Sequence, residues 1–132
     1  VSTITEERLG LAAALVGEPA DLTSAPNVDA IKALPAIVVE PAAASWIDAS
    51  SDSGPGRMIR YGVTAHVIVN AQEPIGALAD LEDFVERVLE RVPPSWRIDR
   101  AEGPVRVAAS GGEITALSAA LSFSMRYSIG CN

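Results

Sequence analysis

From Met58 to Asn70 apolar and polar residues alternate: Ile59, Tyr61, Val63, Ala65, Val67 and Val69 on one face, Arg60, Thr64, His66 and Asn70 on the other. That period of two predicts a half-buried antiparallel strand. After Gln72 the period changes. Ile75, Leu78, Leu81, Val85, Val88 and Val92 recur at helical spacing and form a single stripe. Glu73-Pro74 suits a helix start, because proline's fixed φ and missing N–H fit the first helical position. Pro93-Pro94 ends it. The apolar helix face and the apolar strand face are expected to form most of the core.

The remaining elements follow from the same patterns. Thr3-Ile4-Thr5-Glu6 has capping-box spacing, with Thr3 as N-cap. It predicts a helix to about Val16 that buries Leu11 and Leu15, helped by Leu9, Ala12 and Val16, with Gly17 as its stop. Glu18 to Leu34 reads as a surface connection with a short turn at 29–33. Ala36 to Val39 is a short apolar strand, and its flanking prolines, Pro35 and Pro41, place it near a sheet edge. The small, polar, turn-rich run up to Gly56 predicts a mobile loop over 42–57. A third strand starts at Trp96–Asp99, breaks at Glu102-Gly103-Pro104 and resumes as Val105–Ala109. Ser110-Gly111-Gly112-Glu113 has the residues of a tight hairpin. It leads into a final alternating strand with Leu117, Ala119, Leu121, Phe123, Met125, Tyr127 and Ile129 on one face. The expected fold is α+β: a single domain over 1–132, in α-β-β-α-β-β order, with a mainly antiparallel four-stranded sheet and two helices on one face.

Composition narrows the function classes. The 132 residues suffice for one core without staples. Aromatics make up only 5% against 48% hydrophobic residues overall, so aliphatic side chains must fill that core. A net charge of −7 with a single lysine, Lys32, leaves no basic patch for a nucleic-acid surface. Cys131 stands alone, which excludes an internal disulfide and suits a reducing compartment. Glu6, Glu7 and Arg8 do not fit a signal peptide. No window reaches the roughly 20 apolar residues of a membrane span.

Candidate chemistry is sparse. His66 is the only histidine and falls on the polar strand face, where a solvated or hydrogen-bonded side chain is the expected role. No His/Cys/carboxylate group stands at metal-ligand spacing. Gly54-Pro55-Gly56-Arg57 lacks the Gly-Lys-Ser/Thr ending of a phosphate loop and precedes a strand. Asp80, Glu82, Asp83, Glu86 and Glu90 read as the solvated face of the second helix, with Asp83 one turn before Arg87. No enzyme, cofactor or metal is expected.

The informative anomaly is strand length. At about 3.3 Å per residue the central strand spans roughly 40 Å and the last roughly 50 Å, whereas a domain of this size is only about 35 Å across. Such strands must bend, break at a bulge, or reach a neighbour, and Gly62 offers a kink. Trp46 and Ile47, large apolar residues in a turn-rich segment, must fold back on their own domain or dock on a partner. With Arg57, Met58, Arg60 and Arg126 they form the candidate interface set.

The opening Thr3–Arg8 helix, the Pro35–Val39 strand and Met58–Asn70 running into a long helix together resemble the tail terminator proteins of long-tailed phages, especially those of actinobacteria. Trp96-Arg97-Ile98-Asp99 and the Gly-Gly hairpin into an alternating last strand extend that resemblance over nearly the whole chain. It implies a structural virion protein, assembled in the bacterial host cytoplasm as a hexameric ring. Such a ring caps the tail tube, ends its polymerisation, and joins the major tail tube protein to the head connector or stopper. DNA would pass through its lumen without specific binding, which an acidic wall would favour. Another neck protein, head-closure or connector, is the nearest alternative. A cellular α+β domain with a small ligand between sheet and helices is a more distant one.

Overall fold

The computed structural model describes residues 3–43, 46–51, 57–109 and 114–129. Helix α1, Thr3–Val16, is followed by β1, Thr23–Ala25, a single 3-10 turn, Val28–Ala30, and β2, Ala36–Pro41. Strands β3, Ile47–Ser51, and β4, Arg57–Asn70, precede helix α2, Pro74–Arg91. The chain closes with β5, Arg97–Ala109, and β6, Ile114–Ile129.

The sheet has six strands, not four, in the order β1-β2-β4-β6-β5, with β3 beside β4. It is mixed, because β1 runs parallel to β2 with Thr23 opposite Ala36, while every other pairing is antiparallel. The four-stranded expectation fails at two places for one reason. Thr23-Ser24-Ala25 and Ile47-Asp48-Ala49-Ser50-Ser51 carry almost no apolar alternation, so pairing to a neighbour makes them strands. The first lies in the expected surface connection and the second inside the expected mobile loop. The other residues of that loop at 44–45 and 52–56, like the hairpin at 110–113 and Cys131, lie outside the described residues.

Strand β4 is the spine. Along its whole length it pairs with β6, from Arg57 opposite Ile129 to Asn70 opposite Ala116. Its other edge is shared by two strands: β2 covers Val63 to Ile68, and β3 covers Met58 to Tyr61. Between them Gly62 serves both neighbours, accepting from the Ala42 N–H at 3.0 Å and donating to the Trp46 carbonyl at 2.7 Å. Strand β5 follows β6 with register shifts between Ile98 and Arg100 and between Glu102 and Val105. Gly103 sits at the second shift with φ 114°, and a Cβ there would meet the Ser118 carbonyl oxygen at 3.0 Å, so only glycine fits.

Both helices lie on one face. Leu11 and Leu15 of α1 and Leu81 and Val88 of α2 pack against Tyr61, Val63, Ala65, Val67, Leu121 and Phe123. The expected α2 stripe holds only in part, since Ile75 is 91% and Leu78 43% exposed. Helical geometry accounts for this: at about 100° per residue, Ile75 lies about 120° around the axis from Leu81, and Leu78 about 60°. Ala77 takes the place on the buried side. Leu9, expected to help α1 pack, is exposed, and Thr3 is already helical instead of preceding the helix as its cap. On the opposite sheet face a smaller cluster of Ala25, Ile31, Ala36, Val38, Ile68 and Ala116 lies against the 3-10 turn.

The two helices are tied by one ion cluster. Arg91 donates to the Leu15 and Val16 carbonyls at 3.1 and 3.2 Å, so α2 caps the C-terminus of α1. The same guanidinium grips Asp21 at 2.7 Å through both terminal nitrogens. That bond holds the Asp21 carboxyl below its ordinary value of 3.8 and raises Arg91 in turn. Arg87 bridges Asp21 and its own helix neighbour Asp83. Gly17 leaves α1 at φ 93° directly under this group, where a Cβ would stand 2.6 Å from the Arg91 Cζ.

Candidate functional site

Five of the six candidate interface residues project side chains from one end of the sheet. Strand β5 reaches β6 only as far as Ser124, which faces Arg97. Beyond that point β6 is paired to β4 alone, so from Met125 to Ile129 its outer edge carries no strand among the described residues. On the far side β3 covers β4. The result is a three-stranded ribbon, β3-β4-β6, that outruns the six-stranded body and ends in one open edge. Such an edge presents N–H and C=O groups ready to pair with another chain.

The ribbon's helix-side face is aromatic. Tyr61 is fully buried, with Trp46 edge-on at 5.8 Å and Trp96 tilted at 6.0 Å. Trp46 therefore folds back on its own domain, yet 42% of it stays exposed. Ile47 lies opposite Tyr61 and packs on the core. The Tyr61 hydroxyl is buried with no hydrogen-bond partner among the described residues. Burial raises its pKa, and the charge of Arg8 works against that rise. Tyr127, half-buried farther along, is likewise pushed up by burial and then by Glu7.

The helix-free face of the ribbon is basic. Arg60 and Arg126 are direct cross-strand partners, with exposed Met58 two residues from Arg60 on the same face. Like charges directly opposite in a sheet repel. Asp99 relieves part of this, binding Arg60 at 3.1 Å and Arg97 at 3.4 Å. Arg126 has no ion-pair partner among the described residues. Arg60, Arg97 and Arg126 line one shallow hollow with Ser95, Ser124 and Met125. Arg57 heads β4 opposite Ile129, and its side chain is outside the described residues.

The acids lie elsewhere. Asp80, Glu82, Asp83, Glu86 and Glu90 are exposed along α2, on the opposite side of the sheet from Arg60 and Arg126. Glu82 and Glu86 flank an apolar groove between α2 and the β5 irregularity at 101–104, floored by Leu78, Val85, Leu89 and Pro104, while the Glu102 side chain turns to the helix-free face beside Arg100. The groove encloses 310 Å³, the floor of the range of about 300–1,000 Å³ for small-molecule sites.

His66 lies in the middle of the helix-free face, its Nε2 2.9 Å from the Glu40 carboxylate of the adjoining strand. Among the described residues no three His, Cys, Asp or Glu side chains converge as metal ligands, and no helix is long and apolar enough to cross a membrane. Sequence reading missed two features: the Asp21–Arg91 cluster, which joins residues 70 apart, and the Glu-rimmed groove. An exposed Leu78 beside acids was the only local signal of the latter. The sequence matches no protein-family model and no curated protein.

Proposed function

We propose that this chain is a structural, ring-forming virion protein, the terminator of a long phage tail. One observation carries the reading: a ribbon that outruns its own domain and ends in a β6 edge with no partner strand among the described residues, with Trp46 and Met58 exposed. A monomer gains nothing from such an element, and an exposed edge is an aggregation hazard unless a neighbour covers it. Covered by the next copy around a ring, it becomes the joint of the assembly. The ring, a hexamer by resemblance, caps the tail tube protein on one side and receives the head connector on the other.

The arrangement of charge supports a refinement. Asp80, Glu82, Asp83, Glu86 and Glu90 make the helix side acidic, whereas on the helix-free face Arg60 and Arg126 share the surface with Asp48, Asp99 and Glu40. An acidic lumen requires the helix side to face the channel. Light scattering after size exclusion, followed by negative-stain imaging with and without preassembled tail tubes, tests the proposal. A six-fold ring, free or seated on tube ends, is the expected result. Protein that stays single and ignores tubes overturns it.

A further inference from the structure

Two surfaces of this chain are complementary in charge and shape. At the ribbon tip Arg126, with no ion pair among the described residues, stands directly across from Arg60, which is held by Asp99 and registered beside Asp48, and Met58 is exposed beside them. At the groove Glu82 and Glu86 are four residues apart on α2, a like-charge spacing that destabilises an isolated helix. Neither glutamate has an ion-pair partner among the described residues. Between these carboxylates lies apolar surface, including Leu78, which is 43% exposed.

The two surfaces cannot meet within one subunit. Ala119, at the groove, and Tyr127, in the ribbon, are eight residues apart on one continuous strand, about 27 Å at 3.4 Å per residue. The groove and the face bearing Met58, Arg60 and Arg126 also lie on opposite sides of the sheet. A contact between them is therefore heterologous: one copy gives its tip and receives the next copy's tip in its own groove. Contacts of that kind build a closed ring or an open filament according to the angle between copies.

We propose that the ribbon tip of one copy seats in the α2–β5 groove of the next, Met58 entering the apolar floor and Arg60 and Arg126 facing Glu82 and Glu86. This rests on the ring reading above and names the surfaces that make it. Two like-charge pairs then become opposite-charge pairs across an interface, which fixes register and suppresses other dockings. The apolar knob gives the contact a dry centre inside a charged rim.

A charge swap within the full chain tests it, read by the dissociation constant of the assembly from sedimentation and by negative stain. Arg126→Glu and Glu86→Arg, both at exposed sites, are each expected to weaken assembly at least about tenfold. The double variant, carrying both changes, is expected to regain most of the affinity, because every interface then holds the reversed pair. Rings of unchanged stability in both single variants overturn the docking and leave the ring reading standing. A double variant that loses as much as the two singles combined also overturns it. A wild-type chain that never assembles, alone or on tail tubes, removes both.

Discussion

The two halves of the β4–β6 pair share one sequence pattern and have different surroundings. Over Val63 to Asn70 and Ala116 to Ser124, β2 or β5 lies alongside and helices cover one face, so Val63, Ala65, Val67, Leu121 and Phe123 are closed from water. Over Arg57 to Tyr61 and Met125 to Ile129 the same alternation continues, but β5 has ended and only one side of the ribbon is buried. Alternation reports that a strand has two faces. It does not report what covers each face, and here that difference separates fold from function.

The sharpest way to break the comparison is to damage the inner half. Phe123→Ala removes a ring that is 1% exposed and is expected to cost about 3–5 kcal/mol in urea unfolding. Arg91→Met comes next. It strips Asp21 of its strongest partner and the α1 carbonyls of their donor, an expected loss of about 2 kcal/mol at neutral pH. The acid limb of stability should change with it. Because Arg91 lowers the folded-state pKa of Asp21, the unfolded chain binds that proton more readily. The stabilisation is complete above the unfolded value of 3.8 and is lost as pH falls through it toward the folded value. The Arg91→Met profile should lack that contribution.

Smaller effects mark the boundary and the tip. Tyr61→Phe deletes a buried hydroxyl that has no partner among the described residues, so unfolding should show no loss and up to about 1 kcal/mol of gain. A loss above that size would mean the hydroxyl has a role in the fold. Met58→Ser, at a site 40% exposed, should move stability by no more than about 0.5 kcal/mol while weakening assembly. Hydrogen exchange sharpens the same contrast without mutation: outer-edge amides of Met125 to Ile129 should exchange faster than those from Ala116 to Ser124.

What could be read from the chain followed from burial. Where one face is closed, as along β4 and β6, apolar residues had to recur at period two, and the strands were legible. The α2 stripe was legible from Leu81 onward, and it failed at Ile75 and Leu78, where rotation carries the side chains away from the sheet. Strands β1 and β3 were illegible because their neighbours determine them; Thr23, Ser24 and Asp48 hold no core position of their own. Five of the six interface candidates lie at one end of the sheet: strand length pointed to that end, and the size of Trp46 and Ile47 in a polar segment pointed to the strand beside it. The opposing groove was hidden, since its walls come from α2 and from β5 residues brought alongside only by the β5–β6 pairing.

Gly62 carries a different kind of consequence. Strands β2 and β3 are registered to β4 independently, and the glycine's two hydrogen bonds close the ladder on each side of the gap between Ala42 and Trp46. The number of residues linking them is thus free of the geometry on either side, and each doubling of a linker's length costs only about 0.6 kcal/mol. A short epitope spliced between Ala42 and Trp46 should therefore leave the pairing of both strands to β4 intact and give a tag that reports on this end of the sheet.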